Sequence, residues 1–297
     1  MLNYSRQASN ITLTNKMDSF IQKKTMEITC TAPINIAVIK YWGKLDTLLI
    51  TPLNSSISIT LSQDSLNSKT SIRISLDSKT DYFILNDQNQ SILGRFGMVV
   101  AAARLLRQQM EDTDNTIPKI SQFRLLVKSA NNFPTAAGLA SSASGFCCLA
   151  FALSKIYKLT GTVVDHSRLA RLGSGSACRS MLGGFVSWDN GERDPFASQA
   201  RAIKPFEHWN LNASILIVSD LRKSTSSTLG MQQTVSSSRL FKARLAEIEN
   251  NLILTEKFIC ERDFDGFAEM TMRDSNQFHA ICMDTFPPIF YLVPPII

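Results

Sequence analysis

The sequence has no apolar run long enough to cross a bilayer. Its longest apolar stretches, such as residues 146–153, have the length of a core element, whereas a spanning helix needs about 20 apolar residues. Residues 1–26 are polar, rich in Ser, Thr and Asn, and lack the apolar segment of a secretory signal. We therefore expect a cytoplasmic protein without a membrane partner. Residues 1–26 are expected to be a disordered extension or to follow a misplaced start codon, with a weak transit peptide as the alternative.

Ligands for a structural metal are also scarce. The three His are far apart in the sequence, and the Cys residues form no C-x-x-C pair. This pattern predicts free thiols in a reducing compartment and no zinc site. The residues concerned are His166, His208 and His279, and Cys30, Cys147, Cys148, Cys178, Cys260 and Cys282.

Blocks of one charge are missing as well. The formal net charge is +6, but Lys and Arg are dispersed along the 297 residues. Dispersed cations argue against nucleic acid or a membrane surface as partners. They are compatible with ordinary solvation and give a modest indication of an anionic small-molecule substrate. Hydrophobic residues make up 44% of the chain, which is enough for a sizeable core.

The patterning that is present predicts an α+β protein, because clusters of strands precede helices without regular βαβ alternation. Globular patterning begins near Glu27, and the weakest patterning, at 195–209, suggests domains over 27–205 and 206–297. Alternation or short apolar runs predict strands at 28–33, 34–39, 56–61, 71–76, 82–85, 123–129, 185–188 and 213–219. Helical spacing predicts helices at 96–110 and 141–159, and one long helix or a helix pair at 239–262.

A run of small residues at 132–145 leads directly into the second predicted helix. It contains Gly138, Ser141 and Ser142, and its small side chains allow a ligand to approach the backbone. The first N–H groups of a helix are unpaired and favour an anion. A phosphate-binding loop and a helix start kept small for packing are equally good interpretations of these residues alone.

A second run, 171–180, contains two Gly-Ser steps and ends near Arg179. Such a turn is rich in N–H and O–H donors, and an Arg can hold a phosphate through two parallel hydrogen bonds. A Gly/Ser linker is the alternative. Because large apolar elements flank the run on both sides, we favour an anion site.

A third run, 35–44, is an apolar strand that ends in Lys40, Tyr41, Trp42, Gly43 and Lys44. Two cations beside an aromatic pair suit a ligand with a polar head and an apolar body. A strand end with solvated lysines is an equally good interpretation in isolation.

Together these runs resemble the galactokinase, homoserine kinase, mevalonate kinase and phosphomevalonate kinase (GHMP) superfamily, whose phosphate loop P-x-x-x-G-L-x-S-S-x-S is matched at 134–144. Three further motifs resemble the diphosphomevalonate decarboxylase family: A-P-I-N-I-A-V-I-K-Y-W-G-K at 32–44, G-S-G-S-A-C-R-S at 173–180 and M-R-D-S-N-Q-F-H-A at 272–280. The resemblance implies a GHMP-kinase-like two-domain fold. Its N-terminal domain would be ribosomal-protein-S5-domain-2-like, and its α/β C-terminal domain would be incomplete.

The resemblance also implies a reaction. In that family ATP phosphorylates the tertiary 3-hydroxyl of 5-diphosphomevalonate, and this phosphate then leaves as CO₂ departs, giving isopentenyl diphosphate for isoprenoid and sterol synthesis. Arg179 would face the carboxylate that is lost, and Asn35 would lie beside the reacting end. The implied cofactors are ATP and Mg²⁺, and the implied partner is a second copy of the chain in a homodimer.

The resemblance assigns the remaining site residues by matching motif positions. Those expected to bind the nucleotide are Gly138, Ser141 and Ser142. Those expected to contact the substrate's diphosphate are Tyr41, Trp42, Gly43, Lys44, Arg95, Ser174, Gly175, Ser176, Ala177, Cys178, Arg179 and Thr228.

The sequence departs from the family pattern in two features. Leu45 stands where a basic residue usually follows W-G-K, and the F-D-A-G-P-N segment that carries the family's catalytic Asp does not occur. Asp274 and Asp284 are interpreted as structural, at a helix end and at a cap or turn. We therefore expect a C-terminally truncated chain without decarboxylase activity. The alternatives are a non-catalytic ATP- or diphosphate-binding member or dimer partner and, less compatible with G-S-G-S-A-C-R-S, a superfamily kinase for another alcohol.

Overall fold

The computed structural model describes residues 25–133, 141–192, 194–216 and 224–291. Within these ranges the chain forms two large sheets, a small hairpin and a set of helices, which confirms the α+β class. The strands are β1 (Thr25–Pro33), β2 (Asn35–Ile39), β3 (Lys44–Asp46), β4 (Thr51–Pro52), β5 (Ser56–Thr60), β6 (Asn67–Ser75), β7 (Tyr82–Leu85), β8 (Gln88–Gln90), β9 (Arg124–Asn131), β10 (Phe185–Trp188) and β11 (Ala200–Lys204). The helices are α1 (Gly94–Thr113), α2 (Ser141–Ile156), α3 (Val163–Gly173), α4 (Ala177–Ser180), α5 (Ser227–Ser237), α6 (Leu240–Glu261) and α7 (Phe264–Met283), with a 3-10 turn at Phe206–His208.

The first sheet has the order β1-β6-β9-β7-β8, and only β9 and β7 among its neighbours run parallel. Ile28, Ile72 and Val127 lie opposite one another on three adjacent strands, and all are buried. Helix α2 packs on β1 and β6, which completes the largest core of the molecule.

Two strands of this sheet begin earlier than the sequence patterns predicted. Strand β1 starts at Thr25 and not at the predicted residue 28, so Thr25 and Met26 are not part of an extension. Strand β6 starts at Asn67 and not at the predicted residue 71. Its first buried side chains are polar: the Ser68 hydroxyl shares a 2.7 Å hydrogen bond with Ser144, and the Thr70 hydroxyl is paired with Ser129. Because Ser68 and Thr70 occupy buried positions, the first residues of β6 show no alternation of apolar and polar side chains from which a strand could be predicted.

The second sheet has the order β11-β10-β5-β2 and is covered on both faces. Along β5, Ile57 packs against the helical layer of α6 and α7, while Ser56 and Ser58 face the opposite side. The alternation at 56–61 predicted a half-buried strand. That prediction was wrong about burial, since Ser56 and Ser58 are also fully buried, beneath Arg179 of α4.

The region after β11 differs from the predictions at several points, and neither α5 nor the full length of α7 was predicted. Residues 240–261 form one helix, which resolves the alternative of a helix pair. Residues 211–216 have no regular structure, so the described half of the strand predicted at 213–219 is absent; residues 217–219 lie outside the described ranges. Asp274 lies in the middle of α7 and not at a helix end. No helix in the described ranges has both the length and the apolar character required to cross a membrane.

Candidate functional site

A cleft of about 260 Å³ opens where the end of β2 meets the turn between α3 and α4. The N-terminal ends of α1, α2 and α5 close its other sides. The runs at 35–44 and 171–180 therefore meet Ser142, which belongs to the described part of the run at 132–145. The lining residues are Asn35, Ile36, Ala37, Lys40, Tyr41, Trp42, Lys44, Ile50, Arg95, Ser142, Gly173, Ser174, Gly175, Ser176, Arg179, Ser227, Thr228, Met231 and Phe278.

Arg179 is the most deeply placed cation of the cleft, with 2% of its surface exposed. Its Nε donates to Ser58 Oγ at 2.9 Å and its Nη1 to Ser56 Oγ at 2.7 Å. Its Nη2 donates to Asn35 Oδ1 at 3.5 Å, and its guanidinium lies 5.7 Å from the centre of the Trp188 ring. All these partners are neutral, so the positive charge is held rigidly without being cancelled.

Burial lowers the pKa of the Arg179 guanidinium below its ordinary value. An arginine nevertheless stays protonated in proteins. A buried cation without a counter-charge is costly, and an anionic ligand in the cleft would relieve that cost. Asn35, the neighbour of Arg179, is fixed by two further bonds from its Nδ2, to Ser176 O at 3.0 Å and to Ser180 Oγ at 2.8 Å.

Three more cations, Lys40, Lys44 and Arg95, line the cleft. The pKa of Lys40 is lowered, first by burial and then by the nearby Arg179 and Arg244, although Asp274 opposes the shift. The pKa of Lys44 is lowered by burial and by Arg95. Four cationic groups thus converge, and the described lining contains neither Asp nor Glu. The electrostatic field of the cleft therefore favours anions.

Tyr41 lines the cleft together with these four cations. Its ring packs edge-on against Trp188 with 4.8 Å between ring centres. Burial raises the pKa of the Tyr41 phenol to about 12, with Arg179 acting in the opposite direction. The hydroxyl therefore stays protonated at neutral pH and can donate to a ligand oxygen.

The helix start and the Gly/Ser turn lie side by side. Ser142, in the first turn of α2, shares a 3.1 Å hydrogen bond between hydroxyls with Ser174, the residue that caps the end of α3. Ser141 is the first residue of α2, as predicted. Gly138 lies outside the described residues.

The other predicted substrate contacts divide into two groups. Arg95, Ser174, Gly175, Ser176 and Thr228 line the cleft with Tyr41 and Lys44. Gly43, Ala177 and Cys178 do not line it, and contact between these three and a substrate stays a prediction. Trp42 also lines the cleft, although its side chain is largely buried.

The residues that do not reach the cleft have clear packing roles. Gly43 has a φ of +88°, and a Cβ there would lie 2.7 Å from Leu53 Cδ1. Ala177 and Cys178 are buried in α4, and burial raises the pKa of the Cys178 thiol to about 12. Trp42, which does line the cleft, also has a packing role, since its ring lies edge-on against Phe278 at 4.8 Å between ring centres.

Several lining residues were missing from the predicted set, among them Lys40, Ser227, Met231 and Phe278. Lys40 was visible as the first cation of the 35–44 run. Ser227 follows Ser226, whose hydroxyl accepts from Leu229 N at 3.2 Å and caps α5. A Ser-Ser-Thr run before a helix is a detectable N-cap signal. Met231 and Phe278 reach the cleft only through packing of α5 and α7, which local sequence does not reveal.

Asp274 and Asp284 are both engaged away from the cleft. Asp274 is 1% exposed, and its carboxylate accepts from Arg244 Nη2 at 2.8 Å and from Lys40 N at 3.0 Å. Asp284 accepts from Ser238 Oγ at 2.7 Å and from Leu240 N at 2.9 Å, which caps the start of α6. Neither carboxylate lines the cleft.

The chain resembles known proteins along most of its length. Residues 32–201 match the family model of the diphosphomevalonate decarboxylase-like N-terminal domain, and residues 213–294 match that of the mevalonate 5-diphosphate decarboxylase C-terminal domain. A diphosphomevalonate decarboxylase from Ganoderma lucidum is 50% identical over 271 residues, which cover 90% of this chain and 68% of that protein.

Solved structures agree with these matches. A crystal structure of a mevalonate 5-diphosphate decarboxylase superposes with a TM-score of 0.81 at 46% identity, covering 90% of this chain and 69% of that one. A second, MDDEF in complex with MVAPP, AMPPCP and magnesium, gives a TM-score of 0.73 at 33% identity, covering 91% and 79%. The GHMP-kinase-like fold implied by the motifs is thereby confirmed. The chain belongs to the diphosphomevalonate decarboxylase family.

Proposed function

We propose that the cleft binds 5-diphosphomevalonate and that the chain serves the ATP-dependent decarboxylation of this substrate to isopentenyl diphosphate. The observation that carries the proposal is the convergence of Lys40, Lys44, Arg95 and Arg179 on one cleft whose described lining has no carboxylate. The substrate is an anion at both ends, with a diphosphate and a carboxylate. The complex of a related protein with MVAPP supports the same class of ligand.

The placement of the cations suggests how the substrate lies. Arg95 lies close enough to Lys44 to lower the pKa of that lysine, and this pair of cations suits the diphosphate. Arg179, deeper and beside Asn35, suits the carboxylate that is lost. Its preset hydrogen bonds mean that little reorganisation is needed as charge develops during the reaction.

ATP is the proposed second ligand, and the described residues fit it in one respect. Ser142 lies in the first turn of α2, where helix N–H groups are unpaired, and its hydroxyl reaches into the same cleft. Bound ATP would supply the phosphoryl group, with Mg²⁺ neutralising phosphate charge. The described part of the chain has no group of three or more His, Cys, Asp or Glu that could hold a metal. Mg²⁺ at nucleotide sites is bound largely by phosphates and water, so this composition fits.

A second candidate function is binding without turnover, and the absence of a carboxylate from the described lining favours it. The family reaction needs a carboxylate near the 3-hydroxyl to orient or deprotonate it. Asp274 and Asp284 already hold the backbone of Lys40 and Leu240. Neither is available for that role without breaking those bonds.

Calorimetry and CO₂ release distinguish the two candidates. We expect saturable binding of 5-diphosphomevalonate and ATP-dependent CO₂ release. Binding with CO₂ release lower than that of a family member by about 10² to 10⁴, the typical effect of lacking a positioned acid–base group, would favour the second candidate. Release at the rate of a family member, abolished by Arg179→Ala, would establish the enzyme and reject the second candidate. If no binding occurs, both proposals fail.

A further inference from the structure

Two buried ion pairs between Arg and a carboxylate occur in the described part of the chain, and only one of them is hydrogen-bonded to a residue that lines the cleft. Arg244 of α6 and Asp274 of α7 are paired at 2.8 Å with neither side chain exposed. Removing two charges from water is expensive, and apolar residues in such a place are often equally stable or more so. Fold stability alone is therefore a weak reason for the pair.

The pair binds both backbone polar groups of a single residue, Lys40. Asp274 Oδ2 accepts from Lys40 N at 3.0 Å, and Arg244 Nη2 donates to Lys40 O at 2.9 Å. Strand β2 ends at Ile39, so Lys40 lies just beyond the last residue of the strand. Buried backbone groups must be paired, and here two side chains from different helices replace the missing strand partner.

Asn54 also holds this backbone. Its Nδ2 donates to Lys40 O at 3.1 Å, and its Oδ1 accepts from Trp42 N at 3.1 Å. Gln277 fixes the other end of the guanidinium by accepting from Arg244 Nη1 at 2.6 Å. The backbone of 40–42 is thus hydrogen-bonded both by the Asn54 amide and by the ion pair.

We infer that Arg244 and Asp274 are positioning residues, which fix the backbone from Lys40 to Trp42 and thereby the direction in which Lys40, Tyr41 and Lys44 enter the cleft. The inference rests on the proposed function, since it predicts that loss of the pair weakens binding of the diphosphate substrate. It also implies that the packing of α6 against α7 sets the positions of the cleft's lysines, although Phe278 is the main contact of these helices with the cleft.

The other buried pair provides a matched control. Arg107 and Glu111 of α1 are equally buried, with 2.7 Å between Nε and Oε1. Their remaining bonds, to Tyr157 O, Pro118 O, Ile120 N and both N and Oγ of Ser121, lead to residues that do not line the cleft. Replacing this pair removes the same charges from an equivalent environment without touching the 40–44 backbone.

The test compares Arg244→Met/Asp274→Leu with Arg107→Met/Glu111→Leu in the full chain, by thermal unfolding, calorimetry with 5-diphosphomevalonate, and amide hydrogen exchange over 38–46. In the first variant we expect faster exchange over 38–46 and a Kd raised by about tenfold or more, because Lys40 and Lys44 would lose charge-assisted contacts with the substrate, each worth about 1.5 kcal/mol or more. In the control we expect wild-type values of both quantities.

Asp274→Asn keeps the size of the side chain and decides the question if the double variant does not fold. The amide oxygen can keep only one of the two present donors, and Arg244 loses its counter-charge, so we expect the same changes in at least equal degree. Unchanged exchange over 38–46, or an equal loss of affinity in the control, overturns the inference. If the wild-type chain does not bind 5-diphosphomevalonate, the proposed function fails instead, whereas the exchange result still decides whether the ion pair fixes the backbone.

Discussion

The side chain of Arg179 is held by hydrogen bonds to Ser56 and Ser58, the two serines that flank Ile57 on β5. Sequence predicted that this Arg closes an anion-binding turn, and resemblance assigned it to the substrate. Neither could reveal Ser56 and Ser58 as its partners. Alternation along a strand indicates which residues share a face, but it does not indicate which element covers that face.

Replacement of Arg179 by Ala should weaken binding of 5-diphosphomevalonate by roughly 2 to 5 kcal/mol, the cost of leaving a buried anion without its charged partner. Titration calorimetry measures the change. Arg73→Ala is the matched control, because Arg73 pairs with Glu27 on the exposed surface of the first sheet and carries the same charge. Equal affinities in wild type and Arg179→Ala would remove Arg179 from the site.

The lysines of the cleft predict a pH dependence of binding. Burial lowers the pKa of Lys44 and of Lys40, so each loses its proton below the ordinary lysine value of about 10.4. An anion is bound by the protonated form, hence affinity is full at neutral pH and falls as pH rises through the lowered pKa.

In Lys44→Arg this alkaline loss should shrink, because arginine does not titrate in that range. The remaining loss belongs to Lys40. The measurement is the Kd of 5-diphosphomevalonate between about pH 7 and pH 10, above the phosphate pKa of about 6. A wild-type Kd that stays constant across this range would contradict the account of the two lysines.

At the level of elements, sequence patterns located most strands well, because buried apolar side chains alternate along them. They missed α5, most of α7 and also α3, although the start of α3 carries a visible signal. Thr162 accepts from Asp165 N at 3.3 Å, and Asp165 accepts from Thr162 N at 2.8 Å, which is a reciprocal capping box. The proximity of the α2 start and the α3–α4 turn was not predictable, since it depends on how α2 packs against α3.

That packing requires a glycine at position 173. A Cβ there would overlap the Phe146 ring, over which the Arg95 guanidinium lies at 5.5 Å from the ring centre. Gly173→Ala should therefore destabilise the fold by about 1 to 3 kcal/mol through overpacking. It should also weaken diphosphate binding, because Phe146 supports Arg95.

Gly145→Ala, in the interior of α2, is the control for this substitution. A Cβ at 145 meets no atom within 4 Å, so the change should be neutral or stabilise the fold by up to about 1 kcal/mol. Urea unfolding of both variants gives the two values. Equal stability of the Gly173 and Gly145 variants would contradict the packing described for α2 and α3.

For the molecule as a whole, four motifs in order sufficed to indicate the family, and the matches to family models at 32–201 and 213–294 confirm it. What sequence could not supply is the electrostatic balance of the cleft. Asp274 is close to Lys40 in space yet is turned toward a backbone N–H and Arg244. The homodimer and the lack of turnover remain predictions.

The central claim is that this chain recognises its substrate through the diphosphate. Isothermal titration with 5-diphosphomevalonate and with mevalonate, which lacks the diphosphate, tests it most directly. We predict one site per chain and an affinity for mevalonate lower by at least about 10²-fold, since two charge-assisted contacts of about 1.5 kcal/mol or more are lost. Equal affinity for the two compounds, or no binding of 5-diphosphomevalonate, would contradict the account.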